Sequence, residues 1–180
     1  MRASLVGQGR RNWWCGEPSW VALTMADVEA FIAARKEAPS DRTMSWRVRN
    51  VHNRRCHVAL EAGGARVGEV LLIFNVALGR HFSFVLLRRR EALLRWDFAM
   101  PPVRHRNPQA CGPAFERTVR AREHEHRWRP GLDLHCVTVL EGLAEHDHRQ
   151  AFQAFCDRAN IALEAVYVAP PQLGEQLSLE

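Results

Sequence analysis

The sequence predicts an α+β domain: an antiparallel sheet of five or six strands with one N-terminal and one C-terminal helix. Three observations lead there. Helical periodicity is confined to two stretches near the ends, and strand-length apolar runs fill residues 45–98. The links between those runs are too short for a parallel return, which needs a crossover of a dozen residues or more, so they must be hairpins. At 180 residues and 47% apolar content the chain can bury one core, and its length argues for one domain.

Residues 1–23 hold Trp13, Trp14 and Trp20 among Gly, Pro and Arg without a sustained period, and read as an irregular arm. Thr24 is the expected N-cap of a helix, with Asp27 in the first turn and Val28, Phe31 and Ile32 at helical spacing, ending before Pro39. Met25, inside this helix, is also a candidate start codon. Trp46 and Val48 then alternate with Arg47 and Arg49. The runs 56–61, 66–76, 82–87 and 92–98 follow as a meander, separated by Gly63-Gly64, Gly79-Arg80 and a charged turn at 88–91. Pro101-Pro102 is expected to stop the last of these strands. That leaves 103–131 as a long polar segment in which 118–128 fits either a strand or a short helix. A strand over 134–140 and an amphipathic helix over 147–160, with Phe152, Phe155 and Cys156 on one face, complete the domain. Its limits are placed at 24–169, with a loose tail at 170–180.

No apolar run approaches the roughly 18 residues of a membrane span. The first residues also lack the apolar centre of a signal peptide. The expected compartment is therefore the cytoplasm, where Cys15, Cys56, Cys111, Cys136 and Cys156, odd in number and without a Cys-x-x-Cys pair, are expected as free thiols. Net charge is +5, and Lys36 is the only basic residue besides arginine and histidine. The positive balance favours an anionic partner, and the arginines at 88–90, 104, 106, 117, 120, 122, 127 and 129 concentrate it in one stretch.

That stretch carries a motif series. Leu93-Leu94-Arg95-Trp96-Asp97-Phe98 is followed by Pro101-Pro102, by His105-Arg106-Asn107-Pro108 and by His124-Glu125-His126-Arg127-Trp128. The series resembles an uncharacterised family of small bacterial proteins with a Leu-Arg-x-Asp strand, a proline pair, a His-x-Asn-Pro turn and a His-x-His strand. The likeness runs more weakly from about Ser45 to Ile161, including Phe155, Cys156 and Asn160 of the closing helix. The family is in turn similar in motif order to the TumE-type toxins of toxin–antitoxin modules. The resemblance implies an RNA-directed ribonuclease toxin with an antitoxin as protein partner.

Chemistry at these residues divides three ways. Imidazoles titrate near neutral pH, so two of them can serve as base and acid in metal-independent RNA cleavage, with a guanidinium offsetting charge on the phosphorane. The candidate catalytic residues are His105, His124 and His126, with Asp97 orienting a ring and Arg95 as the cation; no cofactor is required. Arg104, Arg106, Arg122, Arg127 and Arg129 are the candidate phosphate contacts, and Trp128 the candidate base-stacking ring. A non-catalytic module binding nucleic acid or protein is the second class. A metal-dependent hydrolase is the third: in an extended strand His124 and His126 share a face, and His105 or Asp97 would complete a ligand set. The flanking Arg104, Arg106, Arg122 and Arg127 weigh against a divalent cation there. Asn107-Pro108 reads as an ordinary turn signal, and Arg95 beside Asp97 also reads as a surface ion pair. His52, His57, His81 and His135 read as surface or core residues. His146 and His148 stand at the start of the last helix, where a charged ring opposes the dipole, and receive no role.

Because the chain must turn at the prolines and return to rejoin the sheet, Asp97, His105, His124 and His126 are expected to converge, with two of the rings within about 8 Å. Deleting residues 1–23, which show no period and precede a capped helix, is expected to shift Tm by only a few degrees, the effect of about 1 kcal/mol. A thermal melt that loses its cooperativity on deletion would show that the arm's tryptophans belong to the core.

Overall fold

The computed structural model describes residues 23–78, 81–143 and 147–171. The arm before Leu23, the tail beyond Pro171 and His146 lie outside the described residues, and so do the expectations about them.

Helix α1 spans Met25–Ala33 and begins as its sequence predicts: the Thr24 hydroxyl accepts from the Asp27 N–H, while the Asp27 carboxylate accepts from the Thr24 N–H. It buries Val28, Phe31 and Ile32. The helix ends earlier than its periodicity suggests, because Lys36 enters strand β1 (Lys36–Ala38). The Lys36 side chain turns back, and its ammonium donates to the carbonyls of Phe31, Ile32 and Ala34 at 2.7, 3.1 and 2.5 Å. These carbonyls lack partners at the helix end, so the cation satisfies them. Burial pushes the amine down to about 8.

The remaining strands are β2 (Trp46–Val48), β3 (Asn53–Ala62), β4 (Ala65–Asn75), β5 (His81–Arg88), β6 (Glu91–Arg106), β7 (Thr118–Arg129), β8 (Asp133–Val139) and β9 (Ile161–Leu163), with helix α2 (His148–Arg158) before the last. They form one sheet in the order β8-β7-β6-β5-β4-β3-β1-β9, with β2 on β3. The fold class holds, but the described residues contain nine strands, not five or six, and the sheet is mixed. β1 and β9 run parallel, Lys36 opposite Ile161. Both are three residues long, too short for period-two alternation to register.

The largest correction concerns Pro101-Pro102. These prolines do not stop β6, which runs through them to Arg106. They fall in the interruption of the β6–β7 register between Phe98 and Val103, where no ladder bond needs their missing N–H groups. Consequently the expected 103–131 segment is mostly sheet: β6 ends in it, β7 fills its second half, and only 107–117 form a connection with one 3-10 turn (Gln109–Cys111).

Cross-strand neighbours Cys56, Leu72, Phe84 and Trp96 lie in one row on the core face. Onto this face α2 packs Ala151, Phe152, Phe155 and Cys156, with Phe155 5.6 Å from Phe84 and 5.5 Å from Trp96 between ring centroids. Each such ring buried contributes about 1.5–3 kcal/mol. Cys111 and Cys136 are joined in a disulfide, and only Cys56 and Cys156 are free among the described cysteines. This overturns the expectation of five free thiols; a separation of 25 positions hid a proximity that the connection creates. No helix among the described residues is long and apolar enough to cross a membrane.

His148 opens α2 inside an aromatic cage of Trp46, Phe74, Phe82, Phe84 and Tyr167, with Nδ1 2.8 Å from the Tyr167 hydroxyl. Burial pushes its pKa down to about 4, against a weaker opposing pull from Asp147. The unfolded chain protonates near 6.5 and the folded ring refuses the proton, so stability is fully present above that pH and is lost as pH falls from about 6.5 to 4. The loss is on the order of 2–3 kcal/mol for this ring. Urea titrations at pH 7 and 4.5 should show His148→Leu losing markedly less stability than the native chain. Equal losses would show that the ring is protonated in the cage.

Candidate functional site

The sheet face opposite α2 carries the predicted chemistry. Ser83, Asp97 and His124 are cross-strand neighbours on β5, β6 and β7, and Val85, Arg95 and His126 form the next row. Arg95, Asp97, His124 and His126 thus make a two-by-two block fixed by β register alone. Period two sends Trp96 and Glu125, the residues between, to the core face, where the Trp96 indole donates to the Glu125 carboxylate at 2.8 Å.

His105 joins the block from the far end of β6. Its backbone pairs with Val119, yet its ring lies 4.4 Å from that of His124 and 5.1 Å from that of His126, centroid to centroid. Val119 and Ala121 pack against Val137, which is the cross-strand partner of His126. Residues 119, 121, 124 and 126 therefore share a side of β7, and the alternation slips by one opposite the β6 interruption. This slip brings His105 onto the site.

Asn107 secures the arrangement. It is 2% exposed, its Nδ2 donates to the Glu116 and Val137 carbonyls at 2.7 and 2.8 Å, and its Oδ1 accepts from the Val137 N–H at 2.8 Å. With the Cys111–Cys136 disulfide close by in sequence, it ties the end of β6 to β8. Its side chain is a structural clamp between strands, more than the turn signal its sequence suggests.

Asp97 is 7% exposed and sits at the centre. Its Oδ2 is 3.0 Å from His126 Nε2 and 3.5 Å from His124 Nε2, and its Oδ1 accepts from Arg95 Nε at 2.7 Å. Burial alone would raise its pKa, but hydrogen bonds from the two imidazoles, the Arg95 charge and the Ser83 hydroxyl outweigh burial and hold the carboxyl well below the usual carboxylate range. Burial, joined by the neighbouring rings of His124 and His126 and by Arg95, pushes His105 down to about 4 against the pull of Asp97. His126 Nδ1 is 2.8 Å from the Leu134 carbonyl, to which it can only donate. An open cleft of about 520 Å³ reaches the block, with Arg95, His126, Trp128 and His135 among its walls, together with Glu91 and Asp133.

Not every predicted residue belongs. Trp128 is 5% exposed, packs into the main core and donates its indole N–H to Glu91 at 3.0 Å, which leaves little of the ring open to a base although it lines the cleft. Arg127 is paired with Glu125, and the Arg129 guanidinium lies 4.9 Å over the Phe115 ring. Both have partners within the fold, though the Arg127 side chain is 36% exposed. Arg104, Arg106 and Arg122 are exposed, alternating with His105 and Ala121, and so stand on the reverse of the ribbon. Ser83, in an apolar strand, signals nothing and Asn107 signals only a turn until the register is known. Comparison with family models, curated proteins and solved structures finds no match to this chain.

Replacing Asn107 by Ala leaves the Val137 N–H and carbonyl buried without partners. Stability is expected to fall by about 2–4 kcal/mol, read as a lower urea midpoint with an unchanged slope. A cost under about 0.5 kcal/mol would show that water replaces the side chain.

Proposed function

We propose that the protein is an RNA-directed enzyme that cleaves phosphodiester bonds at the Asp97, His105, His124, His126 and Arg95 cluster. The observation that carries the reading is the convergence of three imidazoles and a guanidinium on one buried carboxylate at the edge of an open cleft. A purely structural polar network is normally satisfied within itself, whereas a ring nitrogen of His105 and one of His124 are buried without hydrogen-bond partners.

Roles follow from access. The Arg95 side chain is 40% exposed and lines the cleft, where it can meet a phosphate while Asp97 holds its Nε. His126 reaches the cleft, whereas His124, 1% exposed, acts by holding the site together and does not touch the polynucleotide. In the cleavage step the 2′-hydroxyl oxygen bonds to phosphorus as its proton passes to a base of the cluster. The bond from phosphorus to the 5′ oxygen then breaks as that oxygen takes up a proton, leaving a 2′,3′-cyclic phosphate and a 5′-hydroxyl.

The ribbon beyond the site supports a polyanionic substrate. Arg104 and Arg120 are direct cross-strand neighbours, a like-charge pairing that is destabilising alone, and Arg106 and Arg122 extend it. Standing on the reverse face, these arginines raise the local concentration of RNA without touching the scissile phosphate.

End-labelled RNA oligonucleotides test the proposal. The native chain should yield fragments with 2′,3′-cyclic phosphate ends, and His126→Ala and Arg95→Ala should each slow cleavage by about 100-fold or more. His124→Ala should abolish cleavage, and all three should bind RNA nearly as the native chain does. If natively folded protein binds RNA and never cuts it, the chain is a binding module and the enzymatic reading falls.

A further inference from the structure

Resting on the reading of this cluster as an active site, we infer that His105, His124 and His126 hold one divalent transition-metal ion, with Asp97 beside it. One ring nitrogen from each histidine lies within 4.8 Å of the others. His105 Nε2 and His124 Nδ1 are buried with no hydrogen-bond partner, and His126 Nε2 meets only the Asp97 carboxylate, at 3.0 Å. One orphaned nitrogen is an exception to be explained; two in one place, beside a third that faces a carboxylate, are a donor set.

The opposite nitrogens say which lone pairs are free. His126 Nδ1 gives its proton to the Leu134 carbonyl, so in the neutral ring Nε2 carries a lone pair, and that lone pair faces Asp97 Oδ2 at 3.0 Å. Two acceptors at this distance repel unless something positive lies against them. His124 turns Nε2 toward the same oxygen at 3.5 Å, which leaves Nδ1 as its free donor atom. Carbonyl and carboxylate contacts of this kind orient metal-ligating imidazoles. A proton on His126 would relieve that one contact and leave His105 and His124 orphaned. A metal ion satisfies all three.

The arginines that weighed against a cation turn out not to face it. Arg104, Arg106 and Arg122 stand on the reverse of the ribbon, and Arg127 is paired with Glu125 on the core side. Among the described arginines Arg95 adjoins the cluster, and Asp97 neutralises it. Three imidazoles with a carboxylate suit zinc, manganese, iron or cobalt, and not magnesium or calcium, which prefer all-oxygen shells. Nitrogens bound at about 2.0–2.1 Å to one ion lie roughly 3.3 Å apart, which modest ring rotations reach from the present spacing. A bound ion would supply a water acidified toward neutral pH, and hence the base that the cleavage step requires.

The test uses untagged protein stripped with a chelator and titrated with Co²⁺ or Zn²⁺ alone. Expected are one equivalent bound per chain, a visible Co²⁺ absorption of a four- or five-coordinate site, and a rise in Tm with Zn²⁺. His105→Ala and His126→Ala should each weaken binding by at least about 100-fold, and Asp97→Asn by about 10- to 100-fold. Absence of the Co²⁺ band from the native chain overturns the inference without recourse to any variant, as does an unchanged affinity in His126→Ala. RNA cleavage that persists in excess chelator also overturns it while sparing the proposed function. Stoichiometric metal binding by a chain that never cuts RNA supports the metal site and removes the nuclease reading.

Discussion

A negative charge buried between strands is the constraint on which the rest of the structure turns. Asp97 can stay ionised at 7% exposure only because Ser83, Arg95, His124 and His126 surround it, and each reaches it through the register of β5, β6 and β7. A slip of one residue in β6 would drive the carboxylate into the aromatic layer that holds Phe84 and Trp96 and turn Trp96 toward the histidines. The electrostatics of one residue and the register of three strands therefore specify each other.

The same alternation gives β7 two duties. His124 and His126 face the site while Glu125, 3% exposed, faces the helix layer and accepts from Trp96 and Arg127, with Arg158 of α2 at 3.5 Å. A His-x-His motif is thereby bolted from behind: the residue between the histidines is an anchor between sheet and helix. Rings held this way lose little freedom when a ligand arrives, which is what preorganisation requires.

Where the sequence and the structure agree, the signal was local or came from chain return. Thr24 with Asp27, the alternating runs between Trp46 and Phe98, and the face of Phe152, Phe155 and Cys156 on α2 all act within a few residues of themselves. The convergence of Asp97, His105, His124 and His126 followed from the need to rejoin the sheet. What escaped depended on partners far along the chain. Pro101-Pro102 reads as a stop unless the gap in the facing strand is known, and Asn107 reads as a turn unless Val137 is seen beside it. Trp128 sits among arginines in sequence and among core residues in space, because its neighbours alternate away from it. The Cys111–Cys136 bond and the parallel pairing of β1 with β9 are likewise long-range facts.

Lys36 is the sole lysine of the sequence, and its amine is enclosed by three carbonyls at the end of α1. Chemistry directed at lysine amines thus has one target in this sequence, and that target faces inward. Acylating reagents, amine-to-amine crosslinkers and the enzymes that conjugate acetyl or ubiquitin-like groups to lysine would find no projecting side chain to modify.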